Sequence, residues 1–187
     1  MREVADEVAG TRSHSKAYSW LQPRRFMSIE YPAELEVRSS DGRSAHYRLA
    51  PDFHARPSSA AQAGSAKLVQ KLDDNFSVFQ GPSSPSDLAE GNTLPVYRAE
   101  PSGAFAIPTG RVWVRFKEGI DAAAKHVAIA KAGFHLEESP AWAKHAAWLR
   151  AGSGKIADAL SAARRLVTLG DVEHVEPQML TAVARKE

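Results

Sequence analysis

The chain has 187 residues with 24 basic and 22 acidic side chains, so its formal net charge at pH 7 is only +2. Acids and bases are interleaved, which argues against a nucleic-acid-binding surface with its segregated basic face. The sequence contains no cysteine, which excludes disulfide bonds, thiolate catalysis and sulfur-ligated zinc. No segment approaches the length of a membrane span, and residues 1–10 lack the apolar core of a secretion signal, so the predicted compartment is the cytoplasm.

The first part of the chain divides into a short arm and a β-rich region of no recognised family. Residues 1–22 mix charged, small and serine side chains without a sustained period, which predicts a mobile arm or a frayed helix. Residues 23–108 form the β-rich region. Its first elements are short extended runs around the turn signal Ser40-Asp41-Gly42, at 26–31, 35–38 and 45–49, and they predict a β-hairpin.

The rest of this region alternates between breaks and short elements. Residues 51–57 begin and end with proline and predict an interruption. A helix is predicted from Ser58 or Ser59 to residue 73, with Leu68, Val69 and Leu72 as its apolar positions. The remaining predictions are a strand at 76–80, a loop at 81–92 and extended pieces at 94–98 and 104–107.

Residues 109–187 carry the most regular hydrophobic pattern in the chain. At 111–116 the apolar side chains alternate with basic and aromatic ones at the two-residue period of a strand. A helix follows, with one apolar stripe at three- and four-residue steps made by Ile120, Ala123, Val127 and Ala130. Extended runs at 134–138 and 146–150 flank Ser139-Pro140, which predicts a hairpin with an irregular connection.

A second helix and a last strand complete this pattern. The helix at 155–169 has Ser153 as a candidate N-cap, Gly170 as its stop, and a stripe of Ile156, Leu160, Ala163 and Val167. The strand at 172–176 is predicted to end at Pro177, which has no N–H to donate. The order predicts an α+β fold, in which a ferredoxin-like βαββαβ antiparallel sheet has two helices on one face and follows a β-rich N-terminal region. We expect a partner to dock on the other face, which carries Trp and Arg side chains.

No complete catalytic or ligand-binding motif occurs in the sequence. Gly152-Ser153-Gly154-Lys155 matches only part of a phosphate-binding loop, since Ile156 stands where Ser or Thr would bind magnesium. The seven histidines show no metal-ligand spacing, and we expect neither a metal, nor a cofactor, nor catalytic residues. The tryptophans of the C-terminal module are expected to be core or interface anchors: Trp113, Trp142 and Trp148.

The C-terminal module resembles the propeptide-like inhibitors of subtilisin-type serine proteases, which include prodomains of the fervidolysin type. The resemblance rests on Gly-Arg-Val-Trp-Val-Arg-Phe-Lys-Glu-Gly at 110–119, on Ala132-Gly133, on the second helix ending at Leu169, and on Asp-Val-Glu-His-Val-Glu-Pro-Gln at 171–178. Gln178 stands where the family more often has Asn. The similarity spans well under half of the chain.

The resemblance implies a stand-alone protein that inhibits or chaperones a subtilisin-like serine protease in trans. In that mechanism the sheet face packs on the protease, acidic side chains cap the N-termini of protease helices, and the segment after the last strand enters the cleft like a product. The residues that the resemblance assigns to protease binding are Trp113, Arg115, Glu137, Glu138, Glu176, Pro177, Gln178, Met179, Leu180 and Val183.

Two alternatives remain open on the sequence alone. The chain is also compatible with a non-inhibitory interaction or adaptor protein in a protease-containing assembly, in which the β-rich N-terminal half makes the main contact, since βαββαβ folds serve many unrelated functions. An enzyme with an unrecognised site would require a convergent polar cluster in a pocket, and nothing in the sequence supports one.

Overall fold

A computed structural model describes residues 31–38, 43–58 and 66–182. The predicted arm at 1–22, the turn at 40–42 and Val183 lie outside the described residues. The same holds for most of the extended run at 26–31 and for residues 59–65 of the predicted first helix.

The described residues form nine strands, three short α-helices and one 3-10 turn. The strands are β1 (Glu34–Arg38), β2 (Ser44–Pro57), β3 (Lys67–Lys71), β4 (Phe76–Gln80), β5 (Leu94–Glu100), β6 (Phe105–Phe116), β7 (Phe134–Glu138), β8 (Ala146–Ala151) and β9 (Val172–Thr181). The helices are α1 (Pro85–Glu90), α2 (His126–Lys131) and α3 (Ile156–Val167), and the 3-10 turn Ala122–Lys125 precedes α2. The fold is α+β with a β-rich N-terminal half, as the sequence predicted.

One antiparallel sheet contains all nine described strands, because β2 and β6 change partners along their length. β2 pairs with β1 and β5 and, further on, with β4, whose other edge carries β3. β6 pairs with β5 through Ala106 and Phe105, and then with β8, which pairs with β7. β9 follows the other edge of β6 from end to end. The predicted boundary between residues 108 and 109 therefore falls inside a continuous strand.

The C-terminal half of the sheet has the strand order β9-β6-β8-β7, and its helices pack on one side of it. Val112, Val114 and Phe116 of β6 are fully buried on this side. They form one cluster with apolar residues of α2, β7, β8 and α3, namely Ile129, Ala132, Phe134, Ala147, Leu149, Ala151, Ala159, Ala162, Ala163 and Leu166. Small alanine side chains on α3 let the helix approach the sheet closely, which increases the dispersion contacts of the cluster.

The N-terminal half adds two smaller clusters to this core. One contains Val78, Val96 and Ile107, and Leu180 of β9 packs against it. The other lies at the junction of the two halves, where Tyr97 is fully buried and its hydroxyl donates to the carbonyl of Pro32 at 2.9 Å. Burial raises the pKa of Tyr97 above its ordinary range, so the hydroxyl remains protonated and keeps this bond at neutral pH.

The predicted helix ending at residue 73 is wrong in its described part, because β3 occupies 67–71. The carboxylate of Asp73 accepts hydrogen bonds from the backbone N–H groups of Asn75 and Phe76, at 2.8 and 2.7 Å. This turn joins β3 to β4 as a hairpin. The pairing with β4 outweighs the helix propensity of residues 67–71 and makes them a strand. Leu68 and Val69 consequently stand exposed on an edge strand.

Two breaks predicted in the N-terminal half contain regular structure. β2 continues through 51–57. Its pairing with β5 shifts register between Leu49 and His54, and Pro51 lies within this shift, where its missing N–H is not needed. The predicted loop at 81–92 contains α1. Its N-cap is Ser84, whose hydroxyl accepts from the N–H of Asp87 at 3.0 Å.

The helices of the C-terminal half exist, but their predicted buried stripes and caps are wrong in part. Val127 and Val167 are exposed, and the buried positions include Ile129 and Leu166 instead. The phase differs in the first helix because it begins as a 3-10 turn with three residues per turn. In the second, the N-cap position is Lys155 rather than Ser153, so the helix begins at Ile156 and ends at Val167.

The last strand does not end at Pro177. β9 continues to Thr181, and the ladder with β6 is interrupted between Pro108 and Val112, which is where the missing N–H of Pro177 is tolerated. The interruption needs Gly110, whose φ is +80° and where a Cβ atom would lie 3.1 Å from Cγ1 of Ile156. The hydroxyl of Thr109 also donates to Oε1 of Gln178 at 2.8 Å, across this interruption.

Candidate functional site: the open face of the C-terminal sheet

The side of the C-terminal sheet that faces away from α2 and α3 carries the candidate site. We call it the open face, and define it by the side chains of Arg111, Trp113, Arg115, Glu137, Glu138, Trp148, Arg150, His174 and Glu176. Their position follows from the strand period, because alternate residues on each strand are buried under the helices. In the register, Trp113 lies opposite Trp148 on one side and Glu176 on the other.

Aromatic and guanidinium groups stack at the centre of the open face. The rings of Trp113 and Trp148 are tilted by 58°, with centroids 4.9 Å apart. The guanidinium of Arg111 lies 4.7 Å from the centre of the Trp148 ring, which is the geometry of a cation–π contact. Arg111 thus fixes the orientation of the aromatic pair.

Glu137 connects two arginines that the register places directly opposite each other. Its carboxylate accepts from Nε of Arg111 at 2.6 Å and from Nε of Arg150 at 3.0 Å. Arg111 also donates to Glu138 at 2.9 Å. Like charges that face each other across strands are destabilising, and the carboxylates offset that repulsion without covering the face.

These contacts shift the pKa of both partners. Partial burial of the Glu137 carboxyl raises its pKa, but the hydrogen bonds and charges of Arg111 and Arg150 outweigh this, and the net pKa is below the ordinary value. For Arg111, burial lowers the pKa, and the two glutamates more than offset that effect. Glu137 and Arg111 are therefore both ionised at neutral pH.

The β9 side of the open face carries a second polar group. Nε of Arg115 lies 3.4 Å from a carboxylate oxygen of Glu173, and Nε2 of His174 lies 3.1 Å from Oε2 of Glu176. Tyr47 of β2 has a raised pKa because it is partly buried and because the negative charge of Glu176 disfavours the phenolate. The N-terminal half thus comes within electrostatic reach of this side of the open face.

An open groove of about 460 Å³ crosses the open face at the tryptophans, and we call it the tryptophan groove. It is lined by Trp113, Glu138, Pro140, Trp142, Trp148, Glu176, Gln178 and Met179. Trp142, in the connection between β7 and β8, is 83% exposed. Burying so large an aromatic surface against a partner would be favourable, because it removes apolar area from water.

The residues that the resemblance assigned to protease binding are only partly brought together. The tryptophan groove contains Trp113, Glu138, Glu176, Gln178 and Met179, and the open face beside it contains Arg115 and Glu137. Pro177 is buried, and Leu180 packs against the cluster around Ile107. Val183 lies outside the described residues.

Sequence reasoning did not assign Trp142, Trp148, Arg111 or Arg150 to the site. Two signals in the sequence could have found them. Trp148 and Arg150 alternate with buried residues in the same phase as Trp113, and Trp142 stands in a short connection, two residues after Pro140. The cation–π contact and the shared carboxylate depend on the strand register, which the sequence alone did not fix.

Neither a metal-binding cluster nor a membrane-spanning helix occurs in the described parts of the chain. No three His, Asp or Glu side chains of residues 31–38, 43–58 and 66–182 converge in a way that could hold a metal ion. No helix in these ranges is long and apolar enough to cross a membrane. Comparison with protein-family models, with curated proteins and with solved structures finds no match for this chain.

Proposed function

We propose that this protein binds a subtilisin-like serine protease in trans, and that the open face is the docking surface. The observation that carries the proposal is the tryptophan groove, with the highly exposed Trp142, on a sheet whose other side is fully packed under helices. The strand order β9-β6-β8-β7, with a helical segment after β6 and another after β8, supports the ferredoxin-like βαββαβ arrangement that the resemblance implies.

The chemistry of the open face suits a protein partner. Tryptophan and arginine are enriched at the energetic centres of protein interfaces, where large rigid side chains bury much area at low entropic cost. Trp113 and Trp148 are held by each other and by Arg111, so little order has to be gained on binding. Glu137 and Glu138 are engaged by Arg111, which makes them poorer caps for protease helices than the resemblance implies.

In the inhibitory form of the proposal, the segment that enters the protease cleft begins after β9. Met179 to Thr181 are paired with β6, Leu180 is packed against a core cluster, and Gln178 accepts a hydrogen bond from Thr109, so these residues are held by their own sheet. The product-like segment would accordingly start at Ala182. Of the residues that the resemblance assigned to protease binding, only Val183 lies in this segment.

A non-inhibitory adaptor is the second candidate, and the pairing of β9 with β6 up to Thr181 favours it. In that case the partner docks on the open face and its catalytic cleft stays accessible. The two candidates share the docking surface and differ only in whether the segment after β9 reaches the cleft.

The test is a titration of subtilisin-like proteases, including an intracellular one, with the full chain and three variants. Trp142→Ala removes the exposed indole and is expected to weaken binding at least about tenfold, as loss of an interface anchor does. Val127→Ala removes an exposed apolar side chain from the helical side and is expected to leave binding unchanged. Binding is measured by calorimetry and inhibition by residual activity.

The third variant ends at Ala182 and separates the two candidates. It leaves β9 complete, whereas a chain ending at Pro177 would lose the paired residues up to Thr181 and destabilise the sheet itself. Binding without inhibition by this variant, when the full chain inhibits, indicates a product-like segment. Binding of the full chain with undiminished protease activity indicates the adaptor. If the full chain binds none of the proteases, the protease proposal is wrong.

A further inference from the structure

The lining of the tryptophan groove combines indole rings with carboxylates. Trp113, Trp142 and Trp148 supply the rings, and Glu138 and Glu176 supply the negative charge. Within the described residues, no lysine or arginine contributes to this lining. The face of an indole is the most favourable aromatic surface for a cation, and a nearby carboxylate adds to that attraction.

The charge of Glu176 is only weakly compensated inside the chain. Its carboxylate hydrogen-bonds Nε2 of His174, which carries a positive charge only when the imidazole is protonated. Its side chain is 36% exposed, and that of Glu138 is 59% exposed. Both carboxylates are thus accessible from the groove. Glu138 is already paired with Arg111, so Glu176 supplies the less compensated negative charge.

On the open face, one cation of the chain itself, Arg111, already contacts both an indole ring and carboxylates. Arg111 lies 4.7 Å from the centre of the Trp148 ring while its N–H groups donate to Glu137 and Glu138. A guanidinium is planar, so it can stack on an indole and bind a carboxylate at its edge at the same time, which a compact ammonium does less well. The exposed ring of Trp142 and the carboxylate of Glu176 line one groove, and the described lining of that groove contains no guanidinium.

From this complementarity we propose that the tryptophan groove binds an exposed arginine side chain of the protein partner. The guanidinium stacks on Trp142 or Trp113 and pairs with Glu176, and the alkyl stem lies against Met179. The proposal rests on the proposed function in that the arginine belongs to the protein docked on the open face. It goes further by stating the chemistry that the partner has to present.

The experiment uses the full chain labelled with ¹⁵N and two small probes. One is N-acetyl-arginine methylamide, and the other is the citrulline analogue, which has nearly the same shape without the charge. We expect the arginine compound to shift the indole N–H signals of Trp113, Trp142 and Trp148 and to bind about fivefold more tightly than the citrulline compound. The backbone amide signal of Val127, which lies on the helical side, serves as an internal reference.

Charge variants test the role of the carboxylate. Glu176→Gln keeps the shape of the side chain. It is expected to weaken the binding of the arginine compound about two- to fivefold and to have little effect on the binding of the citrulline compound. Glu118→Gln removes an exposed carboxylate at the turn after β6 and is the matched control, expected to change neither affinity. Equal affinity for the two compounds, or no shift of the three indoles at tens of millimolar arginine compound, overturns the proposal.

The probe experiment and the protease titration can fail independently. If the arginine compound binds and no protease does, the groove recognises arginine on a different class of partner and the protease proposal is wrong. If a protease binds through Trp142 and the arginine compound does not bind, the proposed function stands and the arginine inference is wrong. A salt titration adds a check, because the preference for arginine over citrulline should shrink at high ionic strength.

Discussion

The two faces of strand β6 show how one short segment serves stability and recognition at once. On the helical side Val112, Val114 and Phe116 are fully buried and belong to the main apolar cluster. On the other side Arg111 and Trp113 remain partly exposed. The two-residue period of the strand thus separates the residues that hold the fold from those that are available to a partner.

The faces also differ in the kind of interaction that they use. The helical side gains its stability from apolar area removed from water and from close packing against small alanines of α3. The open face is held by directional contacts, in which Arg111 joins Trp148 to Glu137 and Glu138. Directional contacts fix side chains in place without covering them, so the open face is ordered and still accessible. Substitutions on the two faces should therefore differ strongly in their effect on stability.

The largest expected effect is on the helical side. Phe116→Ala removes a fully buried ring from the main cluster and should lower the free energy of unfolding by about 3–5 kcal/mol. Urea denaturation followed by tryptophan fluorescence measures the loss. A cost below about 1 kcal/mol would mean that the helices do not pack on β6 as described, and the contrast between the faces would not hold.

A smaller effect is expected three residues earlier on the same strand. Trp113→Ala removes a half-buried ring and its contact with Trp148, and should cost about 1–2 kcal/mol, since only part of its surface is out of water. The same denaturation experiment applies, with fluorescence from the remaining tryptophans. If this substitution costs as much as Phe116→Ala, the open face belongs to the folding core and is not free for a partner.

The sequence predicted much of this contrast, because the alternation of apolar and polar residues at 111–116 is a local signal. The strand, the buried phase of its side chains, the hairpin of β7 with β8, and α3 all follow from such short-range patterns. Trp113 was placed on the open face by the same reasoning, and the structure confirms that position.

Features that depend on long-range pairing were not predictable in this way. β3 contains apolar residues that suit a helix equally well, and only the turn at Asp73 and the pairing with β4 make it a strand. The continuation of β9 beyond Pro177 depends on an interruption of the ladder at Gly110, some 67 residues away along the chain. The tryptophan groove likewise needs Trp142 and Trp148 to meet Trp113 across three different segments.

The smallest expected effect concerns the charge of Glu137, which tests whether ion pairs hold the open face. Partial burial raises the pKa of Glu137, but the hydrogen bonds from Arg111 and Arg150 lower it by a larger amount. Folding therefore favours the ionised carboxyl. The resulting stabilisation is present above the pKa of the unfolded chain and is lost as the pH falls through the lower pKa of the folded state. Glu137→Gln should therefore cost up to about 1 kcal/mol at neutral pH, and the difference from the parent chain should disappear in acid, once the pH has fallen below the pKa of the folded state.

Urea denaturation of both chains at neutral pH and in acid measures this difference. Glu118→Gln is the control, because it removes an exposed carboxylate that is not part of the arginine network. A pH-independent cost would show that Glu137 acts through shape and hydrogen bonding in its neutral form. In that case the side chains of the open face would be ordered by packing, as those of the helical side are, and the distinction between the two faces would be one of exposure alone. A cost that fades in acid ties the order of Arg111, and through it that of Trp148, to the ionised carboxylate.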